Sequence, residues 1–165
     1  MKKVFAMVLV LALAFAMTAA PALATDPPQV YSSVPTEGVP AKGNVGTAEG
    51  HRDFAAKAAG VCLYSWRNLI KEDSSAYVKC WQMTETDILA DKIQCDFVLQ
   101  QWNGTDWVTY STSPNNWMLD TDMFTNSIYR AVAHGYYYRV KTTHKAWLAL
   151  SYDSEVLYSA YIYVN

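Results

Sequence analysis

A strict two-residue alternation constrains this chain more than any other feature. In residues 93–102 (IQCDFVLQQW), Ile93, Cys95, Phe97 and Leu99 fall on one side, and Gln94, Asp96 and Gln100 on the other. An extended strand with one buried face sorts residues in this way. The pattern recurs along the chain. Residues 61–66 place Cys62, Tyr64 and Trp66 together, and residues 75–81 set Ala76, Val78 and Cys80 opposite Tyr77 and Lys79. Residues 127–133 read as another strand. Gly135 opens a long one, YYYRVKTTHKAW, with Tyr138 and Val140 facing inward, and VLYSAYIYV closes the chain with Ala160, Ile162 and Val164 on one face. Residues 71–74, 84–91 and 151–154 are expected to turn the chain between strands. Asn103-Gly104 suits a type I′ hairpin, whose two central residues both need positive φ. The same residues with Thr105 form a glycosylation sequon, but the turn is the preferred reading. About seven strands and no long helix predict an all-β, antiparallel sandwich.

That domain is expected over residues 61–165, which hold all six Trp, eleven of the twelve Tyr, only Gly104 and Gly135, and Pro114 alone. Residues 25–60 differ sharply. They carry Pro27, Pro28, Pro35 and Pro40, together with Gly38, Gly43, Gly46, Gly50 and Gly60. A segment of this composition loses much entropy on ordering and offers little apolar surface in return, so it reads as a flexible arm. Residues 51–59 could form two helical turns, marginal in isolation, and His51 reads as a solvated arm residue. Ahead of the arm, Lys2 and Lys3 precede an unbroken apolar run over residues 4–17, and Ala22-Leu23-Ala24 supplies a small-x-small cleavage pattern. Residues 1–24 are therefore expected to be a secretory signal peptide. The run is too short to span about 30 Å of hydrocarbon, Pro21 breaks any helical continuation of it, and no second apolar run holds the mature chain in a membrane.

The chain is 52% hydrophobic and 17% charged, which argues against a wholly disordered polymer. Its net charge is −2; without Lys2 and Lys3 the count is 11 basic against 15 acidic. That balance argues against a nucleic-acid partner held through phosphates.

The segment GYYYRVKTTH followed by SEVLYSAYIYV resembles the last two strands of an immunoglobulin-like or fibronectin-III-like sandwich, with Tyr138 in the place of that fold's corner tyrosine. More of the chain resembles a group of small secreted Gram-positive bacterial proteins of unknown function. Asp91, Leu99, Gln100, Trp102, Gly104 and Trp107 carry the first part of that likeness. Gly135, Tyr138, Arg139, Val140, His144 and Glu155 carry the C-terminal GYYYRV…H…E part. The resemblance implies a secreted β-sandwich and no particular chemistry.

No GxSxG, HExxH, CxxC or phosphate-binding glycine loop is present. His51, His134 and His144 are scattered, and Asp120 with Asp122 reads as a solvated turn before a calcium site. No catalytic, cofactor or metal residue is assigned. His144 and Glu155 lie on the two arms of the last hairpin. Pairing Tyr138 and Val140 with Ile162 and Ala160 gives partners that sum to 300, which sets His144 opposite Val156 and leaves Glu155 on the other face. The pair is at best structural. Cys62, Cys80 and Cys95 all sit at apolar positions. Three buried thiols and a single bond are both open, with Cys62–Cys80 the favoured pair because it flanks the first turn. Trp102, Trp107, Trp117 and Trp147 lie near turns, where rings can stack on sugars or anchor a protein. The expected function is a secreted, non-catalytic binding or surface-interaction module, directed at cell-wall glycan or another surface protein. A secreted antagonist resembling small sandwich bacteriocins is the alternative.

Overall fold

The computed structural model describes residues 33–53, 62–74 and 76–165. The expected signal peptide lies outside the described residues. Seven antiparallel strands form there: β1 (Val45–His51), β2 (Leu63–Ser74), β3 (Tyr77–Trp102), β4 (Trp107–Ala131), β5 (Tyr136–Leu148), β6 (Ser151–Tyr158) and β7 (Ile162–Val164). The fold is all-β and antiparallel, as the alternation predicts. The number seven is reached differently, however. β3 and β4 each cover more chain than the short strands expected there, β1 arises inside the expected arm, and the closing strand is split into β6 and β7.

All seven strands belong to one curled sheet of order β1-β2-β3-β5-β6, with β4 on β3 and β7 on β5. The first part of β3 pairs with β2 as far as Thr86, the second part pairs with β5 from Lys92, and β4 runs beside both. Between these ladders β3 carries extra length. Its pairing with β4 passes from Glu85↔Met123 to Ala90↔Thr121. Such a bulge bends a strand and re-aims its faces. Before it, Val78, Cys80, Gln82 and Thr84 are buried; after it, Ile93, Cys95, Phe97 and Leu99 are. The turn expected over residues 84–91 is this bulge inside one strand.

The curl encloses three apolar clusters. One holds Ile70, Val78, Cys80, Phe97, Leu99, Tyr138, Val140, Ile162 and Val164; a second holds Cys62, Leu63, Trp66 and Ala146; a third holds Ala90, Ile93, Cys95 and Phe124. Burying each large aliphatic or aromatic side chain contributes about 1.5–3 kcal/mol.

Where it is described, the expected arm belongs to this sheet. β1 pairs with β2 from Val45↔Lys71 to His51↔Ser65. Ahead of β1, the chain straps across the far end of the sheet: the Tyr161 amide donates to Val39 O at 2.8 Å and the Ala41 amide to Tyr161 O at 2.9 Å. His51 ends β1, and its Nε2 lies 3.1 Å from Asp53 Oδ1; residues 54–59 of the expected helical turns lie outside the described residues.

Two turns also differ from expectation. The β3–β4 hairpin closes at Trp102↔Trp107 around four residues. Only Gly104 there has positive φ, at 100°. Asn103 acts through its side chain, its Oδ1 accepting the Thr105 and Asp106 amides at 2.9 and 2.7 Å, which replaces the type I′ geometry with an Asx-type turn. The β5–β6 hairpin turns at residues 149–150, with Ala149 at φ 52°. Asp153, expected in that turn, is buried instead.

Candidate functional site

The four tryptophans separate into two pairs. Trp102 is 1% exposed, its ring centroid 5.5 Å from that of Trp107, and its Nε1 donates to Ser33 Oγ at 3.4 Å. A ring so enclosed is structural, which corrects its assignment to a ligand surface. Trp107 is half-buried. It packs on Tyr161, and its Nε1 donates to Glu37 O at 3.0 Å. Trp117 is 51% exposed, and Trp147 stands half-buried beside exposed Tyr152 at 5.0 Å between centroids.

The ladders explain the grouping. Lys92 pairs with Trp147 on β5, and Trp147 with Tyr152 on β6. Gln94 pairs with Trp117 on β4 and with Lys145 on β5. Farther along, Val98 pairs with Lys141, which pairs with Tyr158, and Gln100 pairs with Arg139. These residues alternate with the buried set of β3 and β5, so they share the outer face of that half of the sheet. The face interleaves rings with cations. Lys92 Nζ lies 4.6 Å from the Trp147 ring centroid and 5.6 Å from that of Trp117. Arg139 Cζ lies 4.5 Å from Trp107 and 4.7 Å from Tyr158. Between these groups Lys145 Nζ meets Asp96 Oδ2 at 2.5 Å. Burial alone would raise the Asp96 carboxyl, but hydrogen bonds from Lys145, Gln94 and the Asn115 amide outweigh it and hold its pKa below the ordinary value.

Tyr138 and Val140 are fully buried. His144 is fully buried as well, and it sits in a polar chain. Its Nδ1 lies 2.7 Å from Thr84 Oγ1 and its Nε2 2.8 Å from Thr142 Oγ1. Thr84 continues to Gln82 at 2.8 Å, and Asn68 Nδ2 donates to Thr142 at 2.9 Å. Burial pushes the His144 pKa down to about 3, so the ring is neutral. Glu155 does stand opposite His144 in the ladder, which corrects the expected register. The sum of 300 holds at Tyr138↔Ile162 on β7, and one residue of slack over residues 159–161 changes it to 299 on β6. Glu155 binds Arg52, which also donates to Asp153 Oδ2 at 2.7 Å. Asp153 accepts the Leu63 amide at 3.0 Å too.

All three cysteines are buried and no disulfide joins them. Of the two readings left open, three buried thiols is the one found; the Cys62–Cys80 pair favoured for a bond is precluded by register, because Cys80 faces Ile70 and Cys62 lies beyond the far end of that ladder, where its carbonyl accepts the Asp87 amide. Burial pushes the Cys80 thiol up to about 12 and the Cys95 thiol well above its ordinary value. Among the described residues, no three His, Cys, Asp or Glu side chains gather as metal ligands. A shallow open depression lies elsewhere, on the β1–β2–β3 half beside Thr47, Arg67 and Trp81.

Comparison with protein-family models, curated proteins and solved structures finds no match to this chain. Sequence reading singled out Trp117 and Trp147 but missed the cations between the rings. Lys92, Lys141 and Lys145 each stand at the polar position of an alternating strand. That signal marks a solvent-facing side chain and leaves its cross-strand neighbours undetermined.

Proposed function

We propose that this chain is a secreted, non-catalytic binding module related to small Gram-positive exported proteins, and that it engages cell-wall glycan through the outer face of β3, β4, β5 and β6. The observation that carries this reading is the interleaving of solvent-facing rings with lysines on an antiparallel sheet. Trp117 and Trp147 flank Lys92, and Tyr152 packs on Trp147. Flat, open aromatic surfaces suit sugar faces and extended ligands. The Lys2-Lys3 n-region, the apolar run over residues 4–17 and Ala22-Leu23-Ala24 support export.

The test is a cell-wall pulldown and glycan array using residues 25–165. Retention by wall material is expected, with loss of retention in Trp117→Ala/Trp147→Ala at an unchanged melting temperature. Equal retention of the double variant removes the outer face from the reading. Growth inhibition of a co-cultured strain without wall binding would favour the antagonist alternative.

A further inference from the structure

We infer that the ligand of the outer face is a polysaccharide bearing carboxylate groups, an inference that rests on the binding-module reading above. Charge complementarity points there. The whole chain has 13 basic and 15 acidic residues. On β3, β5, β6 and β7 the outward positions instead present Lys92, Lys145, Lys141 and Arg139 against one strand carboxylate, Asp96, and the Glu37 carboxylate ahead of β1 acts on Arg139, which leaves four cations against two anions. A face of opposite sign to its own chain attracts anions.

Geometry adds the sugar. Lys92 lies between two rings, and Arg139 lies between two others. A ring that lies against a cation still offers its edge and outer surface to a sugar, while the cation takes an acid group on that sugar. Arg139 Nε donates to Gln100 Oε1 at 2.8 Å, which orients the guanidinium plane, and the nearby Glu37 carboxylate is what a ligand carboxylate would compete with for its other N–H groups. The Lys92 row and the Lys141 row are six β3 positions apart, about 20 Å at the rise of a strand. One monosaccharide cannot reach both, so the ligand is a chain of sugars.

The experiment compares polygalacturonate with its methyl ester, which keeps the sugar and removes the charge. The protein tested is residues 25–165, by affinity electrophoresis and titration calorimetry. The acid polymer is expected to bind at least about tenfold more tightly than the ester, and added salt should erode that difference. Lys92→Gln/Lys141→Gln should bring acid-polymer binding down toward the ester's level without moving the melting temperature. Trp117→Ala should weaken binding at low and high salt alike. Equal binding of acid and ester overturns the carboxylate inference and leaves the binding-module reading standing. Binding of poly(glycerol phosphate) or single-stranded DNA, with polygalacturonate ignored, overturns the sugar acid in favour of a phosphate polymer. Failure to bind any polymer here, or any glycan on the array, removes both readings.

Discussion

Tyr138 ties the core to a chain reversal through one hydroxyl. Its Oη donates to Ala133 O at 3.0 Å and accepts the Ala133 amide at 3.1 Å and Gln101 Nε2 at 2.8 Å. Burial, then the neighbouring Tyr110, push its phenol up to about 12, so it stays protonated. Tyr138→Phe removes these hydrogen bonds while leaving the exposed Ala133 backbone to water, and is expected to cost about 0.5–1.5 kcal/mol. Tyr138→Ala adds a cavity and should cost about 3–5 kcal/mol, more than Trp107→Ala at a half-buried site. Urea melts of the three variants measure this, and a larger loss in Trp107→Ala refutes the ordering. His144 makes a different prediction, set by pH. Its native pKa of about 3 lies below the ordinary 6.5. Below pH 6.5 the unfolded chain takes up a proton that the native ring refuses, so stability falls as pH drops toward 3. The slope of about 1.4 kcal/mol per unit gives a loss of roughly 2 kcal/mol by pH 5. Asp96 acts in the same direction over a lower window: its stabilisation is present above its ordinary value of 3.8 and is lost only as pH falls below that. His144→Gln should therefore flatten the pH dependence between 6.5 and 5, and an unchanged slope would exclude His144 as its source.

At the scale of elements, β1 depends on two glycines. A Cβ on Gly46 would sit 2.0 Å from Ala160 O, and one on Gly50 would sit 2.3 Å from the Trp66 ring. The Ala160 carbonyl is backbone and cannot step aside, so Gly46→Ala is expected to destabilise by at least about 2 kcal/mol through displacement of β1. Deleting residues 25–53 should abolish a cooperative melt, because it strips the β2 ladder, the Tyr161 strap and the Arg52 ion pairs together. Survival of a sharp transition in circular dichroism would show that β1 is dispensable. These glycines also explain what the sequence concealed. Their frequency reads as conformational freedom, whereas two of them serve close backbone approach, and only a partner strand distinguishes the meanings. The alternation over residues 93–102 and 136–147 was legible because each strand has one buried face. The continuity of β3 was not, because the bulge moves burial from Cys80 and Gln82 to Ile93 and Cys95 and so imitates a strand end. The candidate face was half legible for a related reason: Trp117 and Trp147 are conspicuous, but their convergence on Lys92 depends on cross-strand register.

Taken whole, the described residues form three apolar clusters, and one strand contributes to two of them and borders the other. β3 contributes Cys80 and Leu99 to the first and Ile93 and Cys95 to the third, and it pairs beside the second through β2. The hydrogen-bond chain from Gln82 through Thr84, His144 and Thr142 to Asn68 occupies the ground between them. On β2, Asn68 lies between Trp66 and Ile70; on β5, Thr142 and His144 lie between Val140 and Ala146. Opening any one cluster exposes members of that chain, and an unpaired buried polar group costs about 1–3 kcal/mol. The clusters should therefore open together, as small single domains usually do. The cysteines supply one reporter for each: Cys80 in the first, Cys62 in the second, Cys95 in the third. All are buried, so a thiol reagent reaches them only through opening. Labelling across a urea series, with sites resolved by peptide mass, is expected to give three coincident midpoints that match the loss of β-sheet signal. Early labelling of Cys62 alone would show instead that the β1–β2 edge opens as its own unit, and that the polar chain does not couple the halves of the sheet.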